Sequence, residues 1–214
     1  VLESSVLIMA GGRGLRLGAI TNSQPKPMVS IGEKPLLQII VERCAASGFR
    51  QCFISVGYLK EQIQAYFGDG TNWGISISYV EEDQPLGTAG ALGLLPRDFG
   101  SSLVVVNGDV LTSLNFSSLL AFHEDRGASI TVGVREHAIQ LPYGVVKSHG
   151  FSVKAIEEKP VINNFVSAGV YVLRPEVVEN VRPSSYLDMP DLIRATVSAG
   201  HEVSAFPLHE DWID

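Results

Sequence analysis

Short apolar runs alternate with amphipathic segments through the first half of the chain. The runs Ser5–Met9, Cys52–Val56 and Leu103–Val106 are rich in β-branched residues and predict strands. The segment Pro35–Ser47 predicts a helix that Gly48 ends. The same alternation predicts helices at Leu59–Phe67 and Ala89–Leu95 and a strand at Ile75–Val80. Because strands without polar alternation are buried on both faces, we expect a parallel sheet covered by helices.

The pattern changes after Asp109. A helix is predicted at Phe116–Arg126, and close-set strands separated by turns follow it. These strands are Ser129–Arg135, Gly144–Lys147, Val153–Glu157 and Phe165–Leu173, and the remaining elements are helices at Glu176–Val181 and Asp191–Ala199 and a strand at Val203–Phe206. This spacing predicts a mixed or antiparallel extension of the sheet. The sequence has no internal repeat and no linker, so a single domain is expected.

Composition and charge exclude several classes of protein. The 214 residues are 45% hydrophobic and 18% charged, which is ordinary globular composition. The net charge of −7 and the pI near 5.2 argue against a surface for nucleic acid or for anionic membranes. No apolar run approaches the roughly 18 residues that a membrane span needs. Two cysteines are too few for a disulfide framework, which favours a reducing cytoplasm.

A glycine-rich loop directly follows the first predicted strand. Three glycines in four positions, Gly11, Gly12 and Gly14, allow backbone N–H groups to approach an anion closely. Positive charge is added by Arg13, Arg16 and Lys26. The loop matches neither the P-loop pattern nor the dinucleotide GxGxxG pattern. It therefore predicts a phosphate site of another kind, and the alternative is a surface turn with solvated cations.

Few other residues carry a chemical signal on their own. Asp109 follows the apolar strand Leu103–Val106, so its carboxylate lies where this sheet type binds ligands, although an Asp in an Asn-Gly-Asp turn is often only a turn former. The five histidines lack the spacing of a metal site or a catalytic triad. Cys44 shares a helical face with Ile40 and Val41, which favours a core position.

The pattern Ala-Gly-Gly-x-Gly-x-Arg-Leu from Ala10, followed by Pro25-Lys26-Pro27, resembles the signature of sugar-nucleotide pyrophosphorylases. Further matching segments are Pro85–Gly90, Asn107–Asp109, Pro142–Val146, Ile156–Pro160, Ser167–Tyr171 and Trp212–Asp214. The resemblance implies an α/β fold: a Rossmann-like, three-layer αβα nucleotidyltransferase (GT-A-like) fold with a mixed, mostly parallel central sheet. It also implies a nucleotide-binding half at about residues 1–112 and a sugar-phosphate-binding half at about 113–214.

The resemblance assigns roles to residues of the first half. The loop residues Ala10, Gly11, Gly12, Arg13 and Gly14 would wrap the NTP phosphates. Arg16 and Lys26 would be catalytic, contacting the pyrophosphate leaving group and the reacting phosphates, because phosphoryl transfer spreads negative charge that cations stabilise. Glu82, Gly87 and Thr88 would recognise the base, partly through backbone groups at the start of a helix.

The resemblance also implies the sugar and metal sites. Gly144, Glu158, Lys159 and Gly169 would bind the sugar phosphate; the alternative for Glu158 and Lys159 is a charged turn. Asp109 and Asp214 would hold Mg²⁺, which prefers carboxylates together with substrate phosphates. No general base is required, since a phosphate monoester with a second pKa of about 6 is largely a dianion at neutral pH.

The match is closest to bacterial guanylyltransferase-like members, some of which carry CBS regulatory domains, so GTP is favoured. Mannose, glucosamine, heptose and glucose 1-phosphates all remain candidate acceptors. The sequence departs from the family pattern at Ala19 and Ser167, and it stops before the Ile-Gly that usually follows Asp214. We therefore expect a piece of a longer cytoplasmic protein that binds neither nucleic acid nor membrane. A homo-oligomer is compatible with the resemblance.

Three alternatives to a guanylyltransferase stay open at this point. Transfer of a uridylyl or thymidylyl group would use the same residues with another base. A catalytically silent regulatory subunit could keep the fold and bind a nucleotide sugar. A glycosyltransferase of similar topology would need an Asp-x-Asp metal motif, whereas Asn107-Gly108-Asp109 holds one aspartate.

Overall fold

The computed structural model describes residues 2–12 and 24–213, apart from the side chain of Ile213. Its strands are β1 (Ser5–Met9), β2 (Ser30–Ile31), β3 (Lys34–Pro35), β4 (Gln51–Val56), β5 (Ser76–Glu81), β6 (Leu103–Asn107), β7 (Leu111–Thr112), β8 (Ile130–Gln140), β9 (Val145–His149), β10 (Ser152–Glu157), β11 (Val161–Leu173), β12 (Val203–Pro207) and β13 (Trp212–Ile213). Its α-helices are α1 (Leu36–Ala46), α2 (Lys60–Phe67), α3 (Phe116–Arg126), α4 (Pro175–Glu179) and α5 (Met189–Ser198). Short 3-10 helices lie at Lys26–Met28, Thr71–Trp73 and Gly90–Leu94.

Seven strands form the central sheet in the order β12-β8-β11-β6-β1-β4-β5. Neighbouring strands pair in parallel except at β11, which runs antiparallel to both β6 and β8. The sheet is therefore mixed and mostly parallel, as the sequence predicts. Its centre is formed by β1 and β6, whose parallel pairing places Met9 beside Asn107 at their carboxyl ends.

Alternate residues of the central strands pack into two separate cores. In β1, Val6 and Ile8 belong to the core that α1, α2 and α3 cover, whereas Leu7 points to the opposite core. That second core is covered by α4, α5 and the 3-10 helix Gly90–Leu94. Helices thus cover both faces of the sheet, which is why the strands are apolar without alternation. The predicted three-layer arrangement is confirmed.

One predicted helix has a different form. The segment predicted as a helix at Ala89–Leu95 is a 3-10 helix of five residues, Gly90–Leu94. It holds Gly90 and Gly93, whose ideal Cβ atoms would lie 2.5 Å and 2.7 Å from backbone oxygens of residues 185 and 182. The segment is shaped by this close backbone approach rather than by helix propensity. The other predicted elements are present, although the last strands of the extension are longer than expected.

The outer halves of β8 and β11 project beyond the sheet together with the hairpin of β9 and β10. We call residues 136–165 the arm. Residues 161–167 of β11 pair with β8 alone, and the register shifts between Ser167 and Tyr171, where β11 joins the central sheet. The arm is largely exposed, and its side chains include exposed apolar residues such as Phe151 and Phe165. It corresponds to the extension that the turn pattern predicts.

Both cysteines lie in the core. Cys44 and Cys52 are fully buried and form no disulfide. Burial raises the pKa of the Cys44 thiol to about 12 and raises that of Cys52 well above its ordinary value. Because a thiol rather than a thiolate is present at neutral pH, neither cysteine is a nucleophile. Within the described chain, no helix is both long and apolar enough to cross a bilayer.

A paired substitution tests the assignment of core and arm. Phe53 in β4 is 1% exposed, whereas Phe151 in the arm is fully exposed. We expect Phe53→Ala to lower the free energy of unfolding by about 3–5 kcal/mol, and Phe151→Ala to change it by less than about 0.5 kcal/mol. Urea denaturation of both variants measures the difference. Equal losses would contradict the assignment of Phe151 to an exposed surface.

Candidate functional site

A cavity of about 540 Å³ opens at the carboxyl edge of the parallel strands. Segments that are far apart in the chain meet there: the end of β1, the turn after β5, the loop after β6 and the approach to α5. Its lining residues are Met9, Ala10, Gly11, Gly12, Lys26, Pro27, Ser55, Glu82, Pro85, Leu86, Gly87, Thr88, Asn107, Gly108, Asp109, Tyr186 and Asp188. The cavity therefore has the location expected for ligands of an open α/β sheet.

The glycine loop begins on the floor of this cavity. The Ala10 amide donates to the Ser55 carbonyl at 3.1 Å and to the Ser55 hydroxyl at 3.2 Å, so the chain leaves β1 in a fixed direction. Gly11 and Gly12 follow and line the cavity. The predicted site residues Arg13, Gly14 and Arg16, and the departure at Ala19, lie outside the described residues.

Lys26 and Asp109 meet across the cavity. Lys26 begins the 3-10 helix Lys26–Met28, in which Pro27 and Met28 are buried, so its backbone is anchored on the protein. Its Nζ lies 2.5 Å from Oδ2 of Asp109, and both side chains are about one quarter exposed. The structure thus brings together two residues that the sequence analysis predicts as site residues from separate motifs. The pair presents one cation and one carboxylate to the cavity.

Glu82 also lines the cavity, directly after β5. Its Oε2 accepts a hydrogen bond from the Leu86 amide at 3.1 Å, and its side chain packs so closely on Gly11 that a Cβ there would collide with it. Burial raises the pKa of the Glu82 carboxyl, while hydrogen bonds from the Leu86 amide and the Ser55 hydroxyl partly oppose that rise. Among the described residues, no Lys or Arg forms an ion pair with Glu82.

Gly87 and Thr88 lie beside Glu82 and contact the segment before α5. Gly87 has a φ of +79°, and its ideal Cβ would lie 2.6 Å from the Leu187 carbonyl oxygen. Thr88 donates its amide to Oδ1 of Asp188 at 3.0 Å. Sequence reasoning missed Tyr186 and Asp188, which also line the cavity. Their only sequence signal is the Asp-Met-Pro pattern of an ordinary helix start, and this pattern says nothing about Thr88, 100 residues away.

The predicted sugar-phosphate residues lie outside this cavity. Glu158 and Gly144 are neighbours on the arm, because an ideal Cβ on Gly144 would lie 2.9 Å from Oε2 of Glu158. Lys159 has a φ of +47°, which L residues rarely adopt, and its amide donates to the Tyr143 carbonyl at 3.3 Å. Such backbone strain clusters at functional sites. Gly169, with a φ of +69°, backs onto Asn107, which does line the cavity.

The chain returns to Asp109 at its carboxyl-terminal end. Strand β13 pairs antiparallel with β7, and Ile213 lies opposite Leu111, two residues after Asp109. The indole Nε1 of Trp212 donates to the Ala168 carbonyl at 2.8 Å, which ties β13 to β11. Asp214, the second predicted metal ligand, lies outside the described residues. Within the described chain, no group of three or more His, Cys, Asp or Glu side chains forms a metal cluster.

The fold and the cavity together define an α/β protein with a crevice at the carboxyl ends of its central strands. A sequence model of the nucleotidyl transferase family matches residues 5–214. The chain belongs to this family, in the group of sugar-nucleotide pyrophosphorylases, as its motifs predict. Members of the family typically use a divalent metal ion.

Named relatives differ in the base and sugar that they use. The chain is 34% identical over 218 residues to mannose-1-phosphate guanyltransferase of Schizosaccharomyces pombe, covering 97% of this chain and 60% of that protein. It is 30% identical over 228 residues to UTP–glucose-1-phosphate uridylyltransferase of Synechocystis, covering 97% and 59%. The chain thus spans about three fifths of the length of these relatives.

Solved structures share the fold. HddC of Yersinia pseudotuberculosis is 25% identical with a TM-score of 0.74, covering 99% of this chain and 93% of that chain. A putative glucose-1-phosphate thymidylyltransferase of Bacillus anthracis is 24% identical with a TM-score of 0.78, covering 99% and 89%. These neighbours confirm the predicted nucleotidyltransferase fold with its mixed, mostly parallel sheet.

The positive φ of Lys159 predicts that glycine is more stabilising than alanine at this position, which is the reverse of their order in an ordinary strand. Lys159→Ala and Lys159→Gly both remove the side chain, but only glycine adopts a positive φ without steric cost. We expect the glycine variant to be more stable than the alanine variant by about 1 kcal/mol, measured by thermal or urea unfolding. At an ordinary extended position such as Ala138 in β8, where the register with β11 is regular, the Ala138→Gly variant should instead be less stable than the alanine protein. The same order at both positions would contradict the strain.

Proposed function

We propose that the protein is a Mg²⁺-dependent guanylyltransferase that makes a GDP-sugar and pyrophosphate from GTP and a sugar 1-phosphate. One observation carries the proposal: Lys26 Nζ lies 2.5 Å from Asp109 Oδ2 in a cavity that the glycine loop and Glu82 also line. A cation for phosphates, a carboxylate for a metal and a carboxylate for a base are thereby grouped around one nucleotide-sized space.

The reaction follows from the charge on the substrates. An oxygen of the sugar 1-phosphate dianion attacks the α-phosphorus of the nucleotide, and the bond to the β-phosphate breaks to release pyrophosphate. Lys26 stabilises the charge that develops on the phosphates, since its anchored backbone and flexible stem let the ammonium exchange Asp109 for a phosphate oxygen. Backbone N–H groups near Gly11 and Gly12 hold the triphosphate in line. Arg16 would add a second cation.

The donor set suits a hard divalent cation. Asp109 is a carboxylate in the open part of the cavity, and Mg²⁺ binds through one or two carboxylates together with substrate phosphates. Asp109 and Asp214 would hold it. When bound, the metal would supply positive charge against the triphosphate and the sugar phosphate. Lys26 also lies beside this carboxylate, so cation and metal ligand are next to each other at the phosphate site.

Glu82 favours guanine over the other bases. Guanine presents two adjacent donors, N1–H and the N2 amino group, and a carboxylate oxygen can accept two hydrogen bonds. Uracil and thymine present one donor between two carbonyl oxygens, which a carboxylate repels. The half-buried Glu82 carboxylate has no cation partner among the described residues, so a paired donor edge would offset its desolvation. Gly87 and Thr88 line the same cavity beside Glu82.

The arm supplies the second substrate site in this proposal. Glu158 would accept hydrogen bonds from sugar hydroxyls, Lys159 would contact the sugar phosphate, and Gly144 and Gly169 would keep the sugar pocket open. The strained φ of Lys159 supports such a role, because strain persists where the surrounding structure and a function require it. The four sugars named above are the candidates.

Pyrophosphate release by the full-length protein tests the proposal. Four NTPs are combined with mannose, glucose, N-acetylglucosamine and glucosamine 1-phosphates and heptose phosphate, with and without Mg²⁺. We expect release with GTP and one sugar phosphate, and loss of release when Mg²⁺ is chelated. Release with UTP or dTTP instead would overturn the guanine assignment. Nucleotide binding without any release would favour a silent regulatory subunit.

The lysine pair Lys26 and Lys34 provides a matched control within that assay. Lys26→Ala should lower kcat by about 10²–10³-fold, since removing one donor to the transition state typically costs this much. Lys34→Ala should leave kcat unchanged, because Lys34 is half exposed and pairs only with Glu42 on the surface of α1. A Lys26→Ala variant with normal turnover would remove Lys26 from the mechanism.

The neighbouring glutamates provide a second matched pair. Glu82→Gln should weaken GTP binding about 10–100-fold, because charged hydrogen bonds contribute about 1.5–3 kcal/mol. Glu81→Gln should change it little, since Glu81 is exposed and pairs with Lys60. Titration calorimetry measures both. Burial raises the pKa of Glu82, so this carboxylate becomes protonated at a higher pH than an ordinary glutamate does. As the pH is lowered, GTP affinity should therefore begin to fall at that higher pH, and the fall should be absent in Glu82→Gln.

A further inference from the structure

We propose that Asp188 is a positioning residue that holds Gly87 and Thr88 in place for base recognition, with Tyr186 as the outer wall of the base pocket. This inference rests on the proposed nucleotide site. It adds two residues to which the sequence motifs assign no role, and it gives the segment before α5 a role in the specificity of the reaction.

The contacts of Asp188 account for both of its carboxylate oxygens. Oδ1 accepts hydrogen bonds from the Thr88 amide at 3.0 Å and from the Thr88 hydroxyl at 3.3 Å. Oδ2 accepts a hydrogen bond from the Tyr186 hydroxyl at 2.9 Å. Asp188 thus connects the loop after β5 to an aromatic residue across the cavity mouth. Because both oxygens have partners, it acts through Thr88 and Tyr186 rather than by direct contact with a base.

The connection differs from ordinary helix capping. Asp188 occupies the N-cap position of α5, but its side chain accepts no hydrogen bond from its own helix. The Met189 amide, at the first position of α5, donates to the Thr88 hydroxyl at 2.8 Å. The Asp188 carboxylate thus accepts from the Thr88 amide, and the Thr88 hydroxyl accepts from the Met189 amide, across about 100 residues of sequence. Each fixes the backbone of the other.

The backbones of the two segments also pair directly. Leu187 donates its amide to Leu86 at 2.9 Å, and its carbonyl accepts from the Ala89 amide at 2.9 Å. Gly87 and Gly90 permit this approach, since an ideal Cβ on either would lie within 2.6 Å of a backbone oxygen of the opposite segment. The Gly87 turn is held by this pairing, and Asp188 in addition holds the amide of Thr88.

Tyr186 presents a ring to the same cavity. It lines the cavity and is 66% exposed, so only its hydroxyl is held firmly, by Asp188. An exposed aromatic ring with an anchored hydroxyl offers an apolar face to a base, and stacking on such faces tolerates any base. Discrimination between bases then depends on the polar groups that Asp188 keeps in position, Thr88 and its neighbour Glu82.

The carboxylate pair Asp188 and Asp191 tests the inference. Asp188→Asn and Asp191→Asn remove the same charge near the start of α5, but Asp191 is exposed and pairs only with Arg194. We expect Asp188→Asn to raise the KM and Kd for the preferred NTP about tenfold. Its kcat should stay within about twofold, and its KM for the sugar 1-phosphate should not change. Its preference over other NTPs should fall, whereas Asp191→Asn should match the wild type.

A Tyr186→Phe variant and thermal unfolding measurements distinguish a role of Asp188 in NTP binding from a role in the stability of the fold. Tyr186→Phe keeps the ring but removes the bond to Asp188, so it should raise the NTP KM less than Asp188→Asn does. A loss of melting temperature with unchanged NTP affinity and preference would overturn the inference, as would equal behaviour of Asp188→Asn and Asp191→Asn. If the wild type binds NTP but shows no turnover, the proposed function is wrong. The role of Asp188 is then still tested by comparing the NTP Kd of Asp188→Asn with that of the wild type. Absence of both binding and turnover would overturn both.

Discussion

The close approach of β1 and β6 at their carboxyl ends is the constraint on which the site depends. The Gly108 amide donates to the Met9 carbonyl at 2.9 Å, and an ideal Cβ at Gly108 would lie 2.5 Å from that oxygen. Only glycine fits there. The glycine loop and the Asp109 turn therefore leave the sheet side by side, and a residue anchored near the loop can reach Asp109 with its side chain.

In the proposed function, this arrangement would let an acidic protein bind an anionic substrate. The chain carries a net charge of −7, so its mean field repels a triphosphate, and binding must depend on local groups. The Lys26 ammonium forms an ion pair with Asp109, and a bound phosphate would compete with that carboxylate for it. Partly exposed ion pairs are weak, about 0–1 kcal/mol, so a highly charged phosphate competes for the ammonium at little cost. Glu82 packs against Gly11, and hydrogen bonds from the Leu86 amide and the Ser55 hydroxyl stabilise its carboxylate there.

Much of the fold could be predicted because the inner strands β1, β4 and β6 are nearly continuous apolar runs. A short apolar run such as β6 is typical of a buried strand in a parallel sheet. The glycine motif after β1 and Asp109 after β6 are then expected at the carboxyl edge of that sheet. The parts that sequence analysis missed depend on tertiary contacts. Gly90–Leu94 is a 3-10 helix because another segment packs against its glycines, and the link between Thr88 and Asp188 joins residues that no local pattern relates. The positive φ of Lys159 is likewise invisible in its charged turn.

The two halves of the chain are joined at the site itself rather than only through the sheet. Trp212 lies in β13, which pairs with β7 next to the Asp109 turn, while its indole donates to Ala168 of β11. Arg135 of β8 lies 5.9 Å from the Trp212 ring centre and donates to the Glu210 carbonyl at 3.1 Å. Both β8 and β11 continue into the arm. The same segment thus contacts both the Asp109 turn and the base of the arm, so it fixes where the arm leaves the sheet relative to the Asp109 side of the cavity.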